Sequence, residues 1–262
     1  MKLIISLILL LPILSRANTE YSCSHIMVCA LVKKAAIENN KQVKITSAFQ
    51  INGDPHQFSA SPKLVKKIIK LENLIVGPME LHPWLKNILK NSKENYTLLE
   101  LPQSQKSKYS KYSKETLAHF WLNKKDQCEL QKQIELKLFN INSEKNCSHE
   151  LDTLNLKSIV FVITHDSLRP LLERSGAKTI SLSGSDHHHE ISTHEIKQVH
   201  MALKKYKNIN WIIEKHMKLP SNIKSLIRSN DSVIHLETLP EKIVNLDSFY
   251  QKLVDTILKE AK

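Results

Sequence analysis

What most constrains this 262-residue chain is the regular exchange of two hydrophobic periods along its length. Short β-branched runs stand at Val43–Phe49, Asn73–Gly77, Ser158–Thr164, Thr179–Leu182, Ile209–Ile213 and Ser232–Leu236. Between them lie stretches of helical period: His25–Glu38, Pro62–Leu71, Pro83–Leu89, Phe120–Phe139, Arg169–Arg174, Thr193–Tyr206, Ser221–Arg228 and Leu246–Ala261. Strands that alternate with helices predict parallel sheets with helices on both faces. Ser61-Pro62 reads as a cap followed by proline at the first helical position, and Ser192-Thr193-His194-Glu195 as a capping box. The exchange breaks at Ser104–Glu115 and at the long polar helix after Trp121. The chain therefore divides into an N-terminal α/β lobe (residues 18–117), a connecting helix and loop (118–149) and a C-terminal α/β lobe (150–262). Ligands of such folds sit in the crevice at the carboxyl ends of the strands.

Residues 1–17 stand apart from this pattern. Lys2 is a short positive start, Leu3–Leu14 is an almost unbroken apolar run, and Ser15-Arg16-Ala17 is a small-residue cleavage pattern. This reads as a secretory signal peptide cleaved near Ala17, which predicts an exported, periplasmic and soluble monomer. Glu20-Tyr21-Ser22 before Cys23 lacks the residues that lipid attachment to that cysteine requires. The net charge of +12 suggests a polyanion partner, but the lysines are spread over most segments and aromatics make up only 6%. The densest run, Lys106–Lys114, has no helical or strand period and reads as a solvated loop, so nucleic acid is not expected as a partner. With four cysteines in an exported chain, Cys128 on a helix and Cys147 in the loop after it form the favoured bridge. Cys23 and Cys29 could pair, or Cys29 could be a buried apolar residue. Only four glycines occur, and there is neither a Gly-rich phosphate loop nor a Gly-x-Ser-x-Gly elbow.

The chemistry-bearing residues are histidines at long intervals. His56 lies in Gly53-Asp54-Pro55-His56, just ahead of a helix start, and His119 precedes Phe120-Trp121. His165-Asp166 is the exit of the buried run Ser158–Thr164, and Glu237 is the exit of Ser232–Leu236. Ligands so far apart cannot form a zinc finger; they can meet only where a layered fold brings loop ends together. Three imidazoles and a carboxylate suit Zn²⁺ and tolerate Mn²⁺ or Fe²⁺. Asp54 and Asp166 are candidates to orient the histidine rings. Asp186-His187-His188-His189-Glu190, with His194 near by, is a possible accessory metal loop, and a flexible polar loop is the equal alternative. His200 and His216 read as ordinary helix-face or loop residues, and His235 as a packed or hydrogen-bonded one.

Four segments in order, Asp54-Pro55-His56-Gln57-Phe58 with Ser61-Pro62, Glu80-Leu81-His82-Pro83-Trp84-Leu85, His119-Phe120-Trp121-Leu122-Asn123 and Phe161–Ser167, carry a family likeness. The chain resembles the periplasmic metal-binding (solute-binding) components of zinc/manganese ABC importers. That resemblance implies two Rossmann-like lobes with parallel sheets, joined by one long helix and holding a metal in the cleft for delivery to a membrane permease. By position it implies His56, His119 and His165 as ligands, with Glu237 as a fourth where the family usually has aspartate. Zinc-type members tend to have histidine at the third place, so His165 favours zinc. The stretch between His119 and His165 is shorter than the family's, and Asn123-Lys124-Lys125 departs from its usual continuation. Capture without catalysis is the expected role, because four protein donors leave no open position for a water. Two other classes compete: an exported zinc hydrolase with Glu237 as general base, and a basic adhesion module whose histidines are incidental. No His-Glu-x-x-His motif supports the first.

Overall fold

The computed structural model describes residues 19–48, 58–90, 96–108, 112, 116, 118–147, 154–182, 191–215 and 219–261. His56, Asp54, His187, His188, His189 and His216 lie outside the described residues.

The first lobe carries strands β1 (Thr19–Cys23), β2 (Val43–Ser47), β3 (Leu74–Val76) and β4 (Tyr96–Leu98) in the order β2-β1-β3-β4, all parallel. The second carries β5 (Val160–Ile163), β6 (Lys178–Ser181), β7 (Asn210–Glu214) and β8 (Ser232–Leu236) in the order β6-β5-β7-β8, again all parallel. Both sheets thus use one topology, and each has a switch point where strand order reverses: between β1 and β3, and between β5 and β7. The expected two-lobed parallel α/β architecture is what the chain adopts.

Helices α1 (Ile26–Glu38), α2 (Pro62–Ile68), α3 (Leu85–Leu89) and α4 (Gln103–Lys108) belong to the first half. The connecting helix is α5 (Lys124–Phe139); α6 (Arg169–Arg174), α7 (Thr193–Lys205), α8 (Ser221–Lys224) and α9 (Leu246–Glu260) follow. Their starts obey the local chemistry. The Ser61 hydroxyl accepts from the Leu64 amide, and Ser192 with Glu195 completes the capping box of α7. Asn123 accepts from the Lys125 amide at the head of α5, and Asn140, in the left-handed region at φ 53, ends it. The lysine-rich run begins as a helix, α4, where the sequence suggested only a loop. Lys106 lies 3.3 Å from Glu80 and 3.8 Å from Glu100, which supplies the fixed partners its period does not.

One apolar layer sits between the two sheets. It takes Tyr21, Cys23 and Ile75 from the first sheet, the buried face of α1, and Phe120, Trp121, Leu130 and Ile134 from the connecting segment. It continues without a break into Phe161, Ile163, Ile212, Ile234 and the buried face of α9. Outer cores cover the remaining faces: Leu74, Val76 and Leu85 in the first lobe, and Val160, Val162, Val199 and Trp211 in the second. All four residues of β5 are buried, because alternate side chains feed the inner and outer layers.

Gly77, just past β3, marks where α1 presses on the sheet. A Cβ there would stand 2.7 Å from Val28 Cγ2, so only glycine lets the helix approach. The Cys128–Cys147 bridge forms as expected. Cys23 and Cys29 are free and buried; burial pushes the Cys23 thiol up, and the adjoining Cys29 adds to the shift. Among the described residues no helix is long and apolar enough to cross a membrane.

Candidate metal centre

The cleft side of each sheet is its switch point. In the second lobe β5 ends at Ile163, and the chain exits through Thr164 to His165, which is extended at φ −152. A single turn, Asp166–Leu168, then leads into α6, with Pro170 fixing its start. Its neighbour in the sheet is β7, whose last residue is Glu214. Two polar groups therefore face each other across the reversal, although 49 residues separate them in sequence.

Both oxygens of Glu214 are hydrogen-bonded. One oxygen lies 3.1 Å from His165 Nδ1 and accepts from the Ser167 hydroxyl at 2.6 Å. The other accepts from the Thr238 hydroxyl at 2.6 Å. Burial alone would raise this carboxyl. The opposing His165 imidazole and the His165, Ser167 and Thr238 hydrogen bonds outweigh burial and hold it far below the usual carboxylate range. An ionised carboxylate on Nδ1 fixes the ring as the Nδ1–H tautomer and leaves Nε2 with its lone pair outward, the arrangement of a metal-ligating histidine. The orienting group is thus Glu214. Asp166, the neighbour that sequence suggested, faces Arg169 at 3.9 Å instead.

His119 comes from the other side. It precedes the turn Phe120–Leu122, whose three side chains are buried in the inner layer, so the backbone before it is held against the cleft. Its ring centroid is 4.8 Å from that of His165, at an interplanar angle of 78°. Two imidazoles on one tetrahedral zinc, at Zn–N about 2.0–2.1 Å, would have centroids about 5 Å apart. The two rings are already at that spacing, and both residues are less than a tenth exposed.

A row of rings continues from this pair along the first lobe: His119 to Trp121 at 5.0 Å, Trp121 to His25 at 5.2 Å, and His25 to His82 at 5.7 Å. It runs on through Trp84 at 5.8 Å to Phe58 at 5.1 Å. His25 caps α1: its Nδ1 accepts the Met27 amide at 3.2 Å, which puts the proton of a neutral ring on Nε2 and makes that nitrogen a donor. Phe58 is two residues beyond His56 in the sequence.

Glu237 stands outside this grouping. It is exposed at the end of β8, its carboxylate 3.8 Å from Lys215 Nζ, and it lines a separate 330 Å³ pocket with His235, Phe249 and Lys252. Among the described residues no three His, Cys, Asp or Glu side chains form a metal-holding group, so the structure joins His119 with His165 but not with Glu237. The adjoining Thr238 does reach the centre, through Glu214 and through its carbonyl, which accepts the Trp121 indole N–H at 2.8 Å. His194 is exposed in the first turn of α7, 2.9 Å from the Gln198 amide. Sequence reasoning missed Glu214, although it is a strand exit like His165 and the same signal marks it. It also missed the buried His25 and His82 as members of the ring row; no periodicity distinguishes them.

No protein-family model and no curated protein matches the chain. Solved structures do match in fold. A Zn(II)-bound mutant variant of AdcAII from Streptococcus pneumoniae superposes with a TM-score of 0.68 at 18% identity, over 94% of this chain and 99% of that one. The SBP FpvC from Pseudomonas aeruginosa in complex with Mn²⁺ gives 0.65 at 12% identity, over 92% and 97%. A Mn-bound periplasmic metal binding protein from Candidatus Liberibacter asiaticus gives 0.64 at 14% identity, over 93% and 100%. Across essentially its whole described length, the chain has the two-lobed fold of these metal-binding proteins.

Proposed function

We propose that this protein is an extracytoplasmic binding protein that captures a divalent transition metal, zinc first, and hands it to an ABC-type importer. The apposition of His119 and His165 at the sheet switch point, with Glu214 behind His165, carries this reading. The fold shared with Zn- and Mn-bound structures and the leader-like residues 1–17 support it. The ligand set is His119 and His165 with His56, which the sequence motif Asp54-Pro55-His56 supplies. Glu237 is the fourth arm, exchanging Lys215 for the metal. Both lobes then contribute donors, and capture needs no catalytic step.

Competitive zinc and manganese titration of the mature protein tests the proposal. One tight equivalent is expected, zinc over manganese, weakened at least a hundredfold by His119→Ala or His165→Ala. Affinity should fall below about pH 6, where protons compete for the imidazole nitrogens. Tight binding that survives both substitutions would refute the assigned centre. Glu237→Ala reads the fourth arm separately: a weaker but still measurable zinc site is expected, and unchanged affinity would remove Glu237 from the set.

A further inference from the structure

Thr238 sits where the supports of the two histidines meet. β8 pairs with β7, and the Leu236 carbonyl accepts the Lys215 amide at 2.8 Å, so the exit of β8 is fixed beside the exit of β7. Two residues on, Thr238 commits both of its polar groups to different partners. Its hydroxyl donates at 2.6 Å to Glu214 Oε2, on the carboxylate whose other oxygen lies 3.1 Å from His165 Nδ1. Its carbonyl accepts the Trp121 indole N–H at 2.8 Å, and the Trp121 ring stands against that of His119 at 5.0 Å and 62°. Trp121 is itself held, since its carbonyl accepts the Gln127 side-chain amide at 2.8 Å. The order His119, Trp121, Thr238, Glu214, His165 therefore closes on itself, its two end rings 4.8 Å apart. Its three middle members are each no more than 2% exposed, surroundings in which a lost hydrogen bond is not replaced by water.

From this closed loop we propose that Thr238 is a positioning residue that couples the two histidines. It ties the ring behind His119 to the carboxylate behind His165, and so holds the pair at the spacing a shared metal requires. The proposal rests on the metal-capture reading above. Thr238 acts through Trp121 and Glu214 and is not itself a ligand. Valine, of the same shape, would take the hydroxyl bond from the buried Glu214 carboxylate and part it from the strand exit that holds Trp121. Serine would keep both links.

The test uses the full mature protein, first metal-free and then titrated with zinc alone. In metal-free, histidine-labelled protein, magnetic resonance reads the two ends separately: the His119 ring signals, shifted by the Trp121 indole, and the His165 Nδ1 proton. Thr238→Val should move both, and Thr238→Ser should leave both near the parent. Zinc affinity should fall about tenfold in Thr238→Val and stay within about twofold of the parent in Thr238→Ser. Trp121→Phe, which loses the N–H, should also weaken binding about tenfold. The double variant Trp121→Phe with Thr238→Val should lose about tenfold in all, not the product of about a hundredfold, because either change opens the same loop. His119 signals unmoved in Thr238→Val, affinity equal to the parent there, or a double variant at the full product would each overturn the coupling. A parent that binds no zinc would overturn the metal-capture reading instead, and the metal-free signals would still decide the role of Thr238.

Discussion

Glu214 is the residue on which the centre turns, since both its oxygens are engaged, one by His165 and Ser167 and the other by Thr238. Glu214→Gln should leave the chain folded, because an amide can still accept one of these bonds. It should weaken zinc binding about 10–100-fold, the usual cost of losing such an orienting partner. A titration alongside a thermal melt separates this from unfolding. His165 drew attention as a polar residue at the exit of a buried run, which is visible in one dimension, and His119 by its place before Phe120-Trp121 at the opening of the connecting helix. Glu214 was harder to see as the partner of His165, because their pairing depends on β7 lying beside β5 and not beside β6, which strand order in sequence does not state. His25 stayed hidden for another reason: histidine is an uncommon cap, and its use here follows from the stack on Trp121.

At the scale of elements, α5 and the loop after it form one fastened unit. Cys128 and Cys147, 19 residues apart, close it covalently, and Lys145 lies 2.5 Å from the buried Glu135 and 2.6 Å from Glu38 of α1. Replacing both cysteines by serine should cost about 3 kcal/mol in urea unfolding, from loop entropy restored to the unfolded chain. Burial would raise the Glu135 carboxyl, but hydrogen bonds from Lys145, Ser143, Asn39 and Gln131 outweigh it and lower it. A lowered carboxyl stabilises the fold above its ordinary titration range and loses that contribution only as pH falls through the lowered value. Glu135→Gln should therefore destabilise by about 1–2 kcal/mol at pH 7, discounted for the part-exposed Lys145, with the gap to the parent closing in acid below about pH 4. Urea midpoints at the two pH values would show it. Most elements were readable from period and caps, as α6 and α7 illustrate. The strands β1 and β4 were not: β1 begins on exposed Thr19 and Glu20, and β4 is a three-residue edge with no run long enough to show alternation.

For the whole molecule, the feature that matters is the apolar layer shared by the two sheets. Trp84 lies in the outer core of the first lobe and Trp211 in that of the second. Unfolding of the parent followed by tryptophan fluorescence and by far-ultraviolet circular dichroism should give one urea midpoint, since neither lobe can lose the shared layer alone. Two separate midpoints would show that the lobes are independent. Asp247 of α9 adds a polar tie, 2.9 Å from Lys34 of α1 and 2.5 Å from Lys124 of α5. Prising the sheets apart by 400 Å² of apolar surface would cost about 10 kcal/mol at ~25 cal/mol/Å², far above thermal energy. The body is thus a vice with welded jaws. Under the proposed metal capture, the ion has to enter and leave at the rim, with leverage measured in side chains rather than in domain angles.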